Sequence, residues 1–399
     1  MDRNQLDPSV PSTTEAKKIP LIIKVYAVLC TLSGVGTLPS VAVFMWQVIT
    51  ALINGNVAAK LGDNTLVAVG LIVAGIMLSA ASAIILIVFG LDLIKDQRRN
   101  AARLSYVLIA FTVVELLVDV MLQGIGPFLL RPAVQLVILI ALSATVDPTL
   151  RQERELQRRL QEMLGRDETG EGYIKLNYFN LFWVFFVCSV LGLILEEVWH
   201  MVVVDPGVYQ DRAGMLFGPF SPIYGFGAVL MTMALNRFYK KNPLIIFLVS
   251  ALIGGAFEVF VGWFMQTSFG VVSWSYSHIR LFGMPDPIAV LTGGRTCTPF
   301  ACMWGLGGLI WIKVLLPRLL KLINMIPWKR RYSATVILTA VMLIDGVMTL
   351  QSLDYWYQRV NGTVRNIPVA QFYDKHFDNE YMENRFQSMT MSPKDATRV

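Results

Sequence analysis

Pro219-Phe220-Ser221-Pro222-Ile223-Tyr224-Gly225-Phe226-Gly227 returns eighty positions later as Pro299-Phe300-Ala301-Cys302-Met303-Trp304-Gly305-Leu306-Gly307. Each copy opens an apolar helix. Each also follows an apolar helix carrying Gly-x-x-x-Glu: Gly192 with Glu196, and Gly254 with Glu258. Gly and aromatic residues are common in membrane helices, so one short match could be chance. The matching upstream pairs make duplication the better reading: a helix pair used twice, with one carboxylate per copy at the repeat interface.

The surrounding composition is that of a membrane protein. Hydrophobic residues make up 55% of the chain, and mean hydropathy is +0.55. Apolar runs long enough to cross a bilayer predict an all-α polytopic membrane protein of about nine transmembrane helices in two bundles. The predicted spans are 21–53, 66–94, 103–122, 128–146, 178–203, 215–235, 243–265, 298–316 and 333–353; re-entrant hairpins at 128–146 and 298–316 would read alike. Pro39 should kink the first span.

Lys and Arg set the orientation. Arg3, Lys17, Lys18 and Lys24 precede the first span, and Lys95, Arg98, Arg99 and Arg103 follow the second. Arg151, Arg154, Arg158 and Arg159 follow the fourth, Arg237, Lys240 and Lys241 the sixth, and Arg318, Lys321, Lys329, Arg330 and Arg331 the eighth. Every second loop is thus expected in the cytoplasm, with the N-terminus inside and the C-terminus outside a bacterial inner membrane. The net charge of +6 is consumed by this asymmetry, which argues against a nucleic-acid partner. The first apolar run is too long for a cleavable signal. The sequon Asn361-Gly362-Thr363 carries no weight in a bacterial chain.

The expected organisation is a disordered cytoplasmic segment (1–20), a four-helix bundle (21–146), a cytoplasmic amphipathic helix and linker (147–177), a five-helix domain with the repeat (178–353; copies 178–235 and 243–316) and an extracytoplasmic tail (354–399). Asp147-Pro148 reads as a helix start. The helix it opens would lie on the membrane surface or on its own bundle rather than dock a partner. Tyr355, Trp356 and Tyr357 read as an outer interfacial belt.

Buried acids direct attention to function, since a carboxylate at mid-span costs about 2.5–3.5 kcal/mol. Glu196 and Glu258 lie at or past the midpoints of outward-running helices, so the polar groups gather in the outer half of the membrane. Arg212 and Arg295 each precede a Pro-Phe segment, and Tyr224, Trp274, Tyr276 and Trp304 would wall a cavity there. The two glutamates would either bind a cationic ligand or proton or form internal ion pairs with the arginines. Glu197 points about 100° away from Glu196. Gly218-Pro219 and Thr298-Pro299 mark late helix starts, and Gly192, Pro222, Gly225, Gly227, Pro299 and Gly305 complete the structural motif. Glu115 and Asp119, one turn apart, would form a secondary polar site or, the preferred reading, bond across to Gln123 and Arg131; Asp345 is placed with the polar site. The four cysteines show no metal spacing, and Cys297 with Cys302 reads as two ordinary small residues rather than a disulfide. No cofactor and no catalytic residue is assigned.

On Leu191-Gly192-x-x-x-Glu196, Gly218-Pro219-x-x-Pro222-Ile223-Tyr224-Gly225-Phe226-Gly227, Glu258, Trp274-x-Tyr276-Ser277, Gly294-Arg295-x-Cys297, Trp304-Gly305-x-x-Gly308 and Pro317, the chain resembles a bacterial family labelled CmpB-like ABC-transporter permeases. The resemblance covers roughly 178–320. Three motifs depart from it: Asp211-Arg212-Ala213 stands for Asn-Arg-Gly, Gln266 for a second glutamate, and Ser273-Trp274-Ser275-Tyr276-Ser277 for Trp-Trp-Asp-Tyr-Ser. Extra residues sit near Pro285–Thr292.

The resemblance implies a permease-type protein with an ATP-binding subunit as partner, or a homo-oligomer. The chain itself has neither a Walker motif nor the Glu-Ala-Ala coupling segment of importer permeases. Two other readings stand beside transport. One is an enzyme on a lipid-linked or envelope substrate; only three histidines (His200, His278 and His376) and no nucleophile beside a base speak against it. The other is a membrane sensor or scaffold.

Overall fold

A computed structural model describes residues 19–54, 65–146, 177–363 and 366–398. The expected 147–177 helix and most of the 1–20 segment lie outside the described residues. The chain divides into two compact units.

The first unit contains α1 (Leu21–Ile53), α2 (Thr65–Ile94), most of α3 (Arg98–Gln123) and α4 (Leu130–Val146). Small residues let α1 and α2 touch backbone to backbone. A Cβ on Gly34 would fall 2.6 Å from the Ala83 carbonyl oxygen, and one on Gly90 would fall 2.6 Å from that of Ala27. In a bilayer, where lipid competes with apolar side chains, such close approach is a main source of helix association. Asp96 fastens the two ends, accepting from the Ile19 N–H at 3.0 Å and pairing with Lys24 at 2.7 Å. Cys30, Phe89, Leu93, Leu108 and Leu139 form the core.

The second unit holds α5 (Tyr178–Trp199), α6 (Pro222–Leu235), α7 (Pro243–Phe269), a short helix α8 (Pro287–Leu291), α9 (Thr298–Ile310), α10 (Leu316–Asn324) and α11 (Trp328–Val360). Two small helices follow, α12 (Pro368–His376) and α13 (Asn379–Arg385). Between α9 and α10 the backbone widens into a π-turn at Trp311–Leu315, immediately before Pro317, whose missing N–H frees a carbonyl in the preceding turn. Val184, Leu235, Ile246, Ile312 and Leu316 are its buried centre.

Among the described residues, seven helical stretches are long and apolar enough to cross a membrane, rather than the nine expected. The 298–316 span proves secure, because α9 continues through the π-turn to Asn324. Two others fall short. α4 has 17 residues entered by a 3-10 turn at Pro127–Leu129, and the 14 residues of α6 reach about 21 Å at 1.5 Å per residue, against a hydrocarbon core of about 30 Å. The shortness of α6 has a local cause. Gly218 takes a left-handed conformation (φ 68°), and Pro222 cannot sit beyond the first turn of a helix, so the chain stays irregular to Ser221. In the later stretch Cys302 occupies the corresponding place, and α9 begins at Thr298.

The tail is built into the second unit. Thr390–Met391 pairs antiparallel with Val271–Val272, and Ala370, Met382 and Phe386 are buried. Tyr355, Trp356 and Tyr357 are therefore not a lipid-facing belt: α11 runs past them to Val360, and all three are covered, with Tyr355 stacked on Tyr373 at 5.1 Å.

Candidate functional site

Gly192 and Glu196 are one turn apart on α5, hence on one face. Against that face lies the ring of Tyr224 from α6, so close that a Cβ on Gly192 would sit 2.2 Å from its Cγ. The ring's hydroxyl lies within interaction reach of the Glu196 carboxylate. On α7 and α9 the same geometry holds. A Cβ on Gly254 would sit 2.3 Å from Trp304 Cγ, and Trp304 Nε1 donates to Glu258 Oε2 at 3.4 Å. In each pair a bare glycine admits an aromatic ring, and the ring brings a polar hydrogen to the acid one turn further on. A second contact matches as well: Gly225 faces Phe185, and Gly305 faces Phe247. Trp304 also reaches α6, with its ring 3.0 Å from a Cβ placed on Gly227. Tyr224 and Trp304 are thus committed to packing as well as to polar contact.

The two acids differ in their remaining partners. Arg212 donates its Nε to Glu196 at 3.1 Å and one terminal nitrogen to Gln210 at 2.8 Å. Glu258, 6% exposed, accepts from the Tyr276 hydroxyl at 2.9 Å and the Thr296 hydroxyl at 2.8 Å. Arg295 does not reach it. Its guanidinium donates to Gln266 at 2.6 Å and to the Thr292 carbonyl at 3.1 Å, while its backbone carbonyl accepts from Trp274 Nε1 at 2.9 Å. Tyr276 stacks on Phe300 at 4.3 Å; burial, reinforced by the Glu258 charge, pushes its hydroxyl well above the ordinary phenol range. Glu197 turns elsewhere and accepts from Tyr209 at 3.2 Å.

Residues without an earlier role hold this arrangement. Asp286 is fully enclosed. It accepts from the N–H of Ala289 at 2.8 Å and from that of Thr298 at 3.1 Å, stapling the start of α8 to the start of α9. Burial pushes the Asp286 carboxyl upward, but these N–H donations outweigh it and hold the group below the usual carboxylate range. Asp286-Pro287 has the same helix-start signature as Asp147-Pro148, so this role was readable in the sequence. Arg385 had no such signal. It pairs with Asp211 at 2.8 Å and donates to the carbonyls of Met215 and Gly218, clamping the irregular approach to α6. Asp345 clamps the same segment from α11, accepting from the Phe217 N–H and the Thr349 hydroxyl, each at 3.3 Å.

In the first unit, Glu115 faces Ser79 and Ser82, with Asp119 and Arg131 within electrostatic reach; Arg131 itself donates to Ser33 at 3.2 Å. Cys297 and Cys302 are free thiols. Among the described residues, no group of three or more His, Cys, Asp or Glu side chains converges.

Residues 183–350 match the model of the family described as "Putative ABC-transporter type IV". This segment is similar to the CmpB-like permease family. The acids, glycines and rings of both helix pairs fall within it, whereas α1–α4 and the α12–α13 cap fall outside. No curated protein and no solved structure matches the chain. The match of this segment to a permease family, together with seven apolar helices among the described residues, fits a multi-pass membrane transport protein.

Proposed function

We propose that the chain is a permease-type transporter of a bacterial inner membrane, with a solute or lipid site in the outer half of the 178–353 domain. The observation that carries this reading is the pair of acid–aromatic–glycine constellations within the family segment, Glu196–Tyr224–Gly192 and Glu258–Trp304–Gly254. They support an internal repeat of two helix pairs, α5–α6 and α7–α9, facing each other at Gly227 and Trp304. A polar centre between repeated helix pairs is how many transporters build a mid-membrane site that opens when one half rocks against the other. Glu196 and Glu258 serve as its acids, and Arg212 and Arg295 as its cations. Trp274 and Tyr276 belong to the outer loop above it.

The family also supports an ATP-binding subunit as partner; the Lys and Arg distribution supports an inside N-terminus, with the basic loops as the docking surface. Purification of the tagged chain from native membranes in mild detergent, followed by mass spectrometry of what accompanies it, tests both halves. A stoichiometric ATP-binding subunit supports the coupled permease. A retained solute or lipid that is lost in Glu258→Gln supports the site. Finding neither removes the transport reading.

A further inference from the structure

We infer that Glu258 exchanges a proton with the outer side through the Tyr276 hydroxyl, while Glu196 is paired with Arg212. The inference deepens the site reading above and rests on it. A buried carboxylate is normally compensated by a cation or else gives up its charge. Glu196 has its cation at 3.1 Å. Among the described residues no Lys, Arg or His nitrogen lies within 4.0 Å of Glu258, and its three donors are all neutral: Tyr276, Thr296 and Trp304.

The chemistry of those donors matters. Trp304 Nε1 can only donate. The Tyr276 and Thr296 hydroxyls rotate, and each can donate to a carboxylate or accept from a carboxylic acid. The same three groups therefore satisfy Glu258 in both protonation states without moving a backbone atom. Protonation requires only that one carboxyl oxygen take up a proton and that the facing hydroxyl turn to accept it. When the Tyr276 O–H bond breaks and its proton passes to Glu258 Oε1, the phenol oxygen takes a replacement proton from hydronium on the outer side, whose O–H bond breaks to leave water.

Tyr276 is placed for this. It sits in the loop between α7 and α9, held by its ring on Phe300 and by its N–H on the Gly294 carbonyl at 2.8 Å. The other titratable groups within electrostatic reach of Glu258 are Cys297 at the start of α9 and Tyr224 on α6. The nearby charges are engaged elsewhere, Arg212 with Glu196 and Arg295 with Gln266.

Infrared difference spectroscopy on the detergent-purified full chain tests the inference, with pH as the only variable. The carbonyl band of a protonated carboxylic acid should titrate in the wild type. It should vanish from the difference in Glu258→Gln and persist in Glu196→Gln. Tyr276→Phe, which removes one donor to the ionised form, should move its midpoint by about one pH unit. A band that persists unchanged in Glu258→Gln, or no titrating band in the wild type, overturns the inference. If Glu258→Gln fails to elute as a monodisperse species, Tyr276→Phe decides, since an unmoved midpoint also overturns it. No substrate or ATPase enters the experiment, so a titrating Glu258 in a chain that transports nothing would retain the proton site and remove the transport reading.

Discussion

Gly254 and Gly255 are neighbours on α7, both buried, yet the structure gives them opposite tolerance for a methyl group. A Cβ on Gly254 would meet Trp304 at 2.3, 2.5 and 2.5 Å, contacts that real Cβ atoms do not make. A Cβ on Gly255 would find its nearest neighbour, the Ala301 Cβ, at 3.9 Å, an ordinary van der Waals distance. Replacing glycine by alanine inside a helix gains about 0.5–1 kcal/mol from the backbone at either position. That gain is common to both, so the gap between the variants isolates the clash. Overpacking a close-packed interface costs about 1–3 kcal/mol, and Gly254→Ala should be less stable than Gly255→Ala by that amount. Unfolding in mixed micelles, followed by tryptophan fluorescence, measures the gap. In a Trp304→Ala background the gap should collapse, because the ring that causes it is gone. Equal stability of the two variants with Trp304 present would refute the ring-on-glycine packing, and with it the delivery of Trp304 Nε1 to Glu258.

Three further outcomes are expected. Arg398 and Asp354 form a buried ion pair that ties the tail to α11, so Arg398→Ala should cost about 3–5 kcal/mol in the same unfolding assay, because a buried carboxylate is left behind. Asp286 is held below its unfolded value of about 3.9, so the stability it contributes is present above that pH and is lost as pH falls through the folded value. Wild type should therefore lose its advantage over Asp286→Asn when unfolding is measured at descending pH below about 4, and a constant difference would contradict the capping role. Phe282, 100% exposed at the tip of the Arg280–Pro285 hairpin, reports on topology. On a background lacking Cys30, Cys188, Cys297 and Cys302, Phe282→Cys should react with a membrane-impermeant maleimide in intact cells; labelling only in inverted vesicles would reverse the orientation.

The Gly-x-x-x-Glu spacing was legible because it is a local, helical fact: residues four apart share a face wherever the helix goes. Which ring would fill each glycine was not local, since Tyr224 and Trp304 lie 32 and 50 positions beyond Gly192 and Gly254. Among the described residues the span count of nine is not reached where hydropathy and helicity part company. Residues 215–221 are apolar enough to read as membrane helix, but Gly218 and two prolines keep them irregular, and Asp345, Thr349 and Arg385 supply partners for the freed backbone. The belt at Tyr355–Tyr357 failed for a related reason. Aromatic residues at a span's end have the same composition whether lipid or a folded tail covers them, and the burial of Met382 and Phe386 decides for the tail.

The unequal compensation of the two acids follows from these same irregular stretches. Between α5 and α6 the chain runs through an extended loop before its second proline starts the helix, and this slack lets Arg212 fold back onto Glu196. Before α9 there is no such slack. Gly293 and Gly294 take successive left-handed conformations (φ 62° and 77°), and Asp286 pins Thr298, so Arg295 emerges from a tight turn. Its side chain is delivered to Gln266, two turns beyond Glu258 on α7, instead of to Glu258 itself. A cation at Glu258 would lock that carboxylate in one charge state. By turning Arg295 away and presenting hydroxyls instead, the loop leaves one acid of the pair with neutral partners while the other keeps its cation.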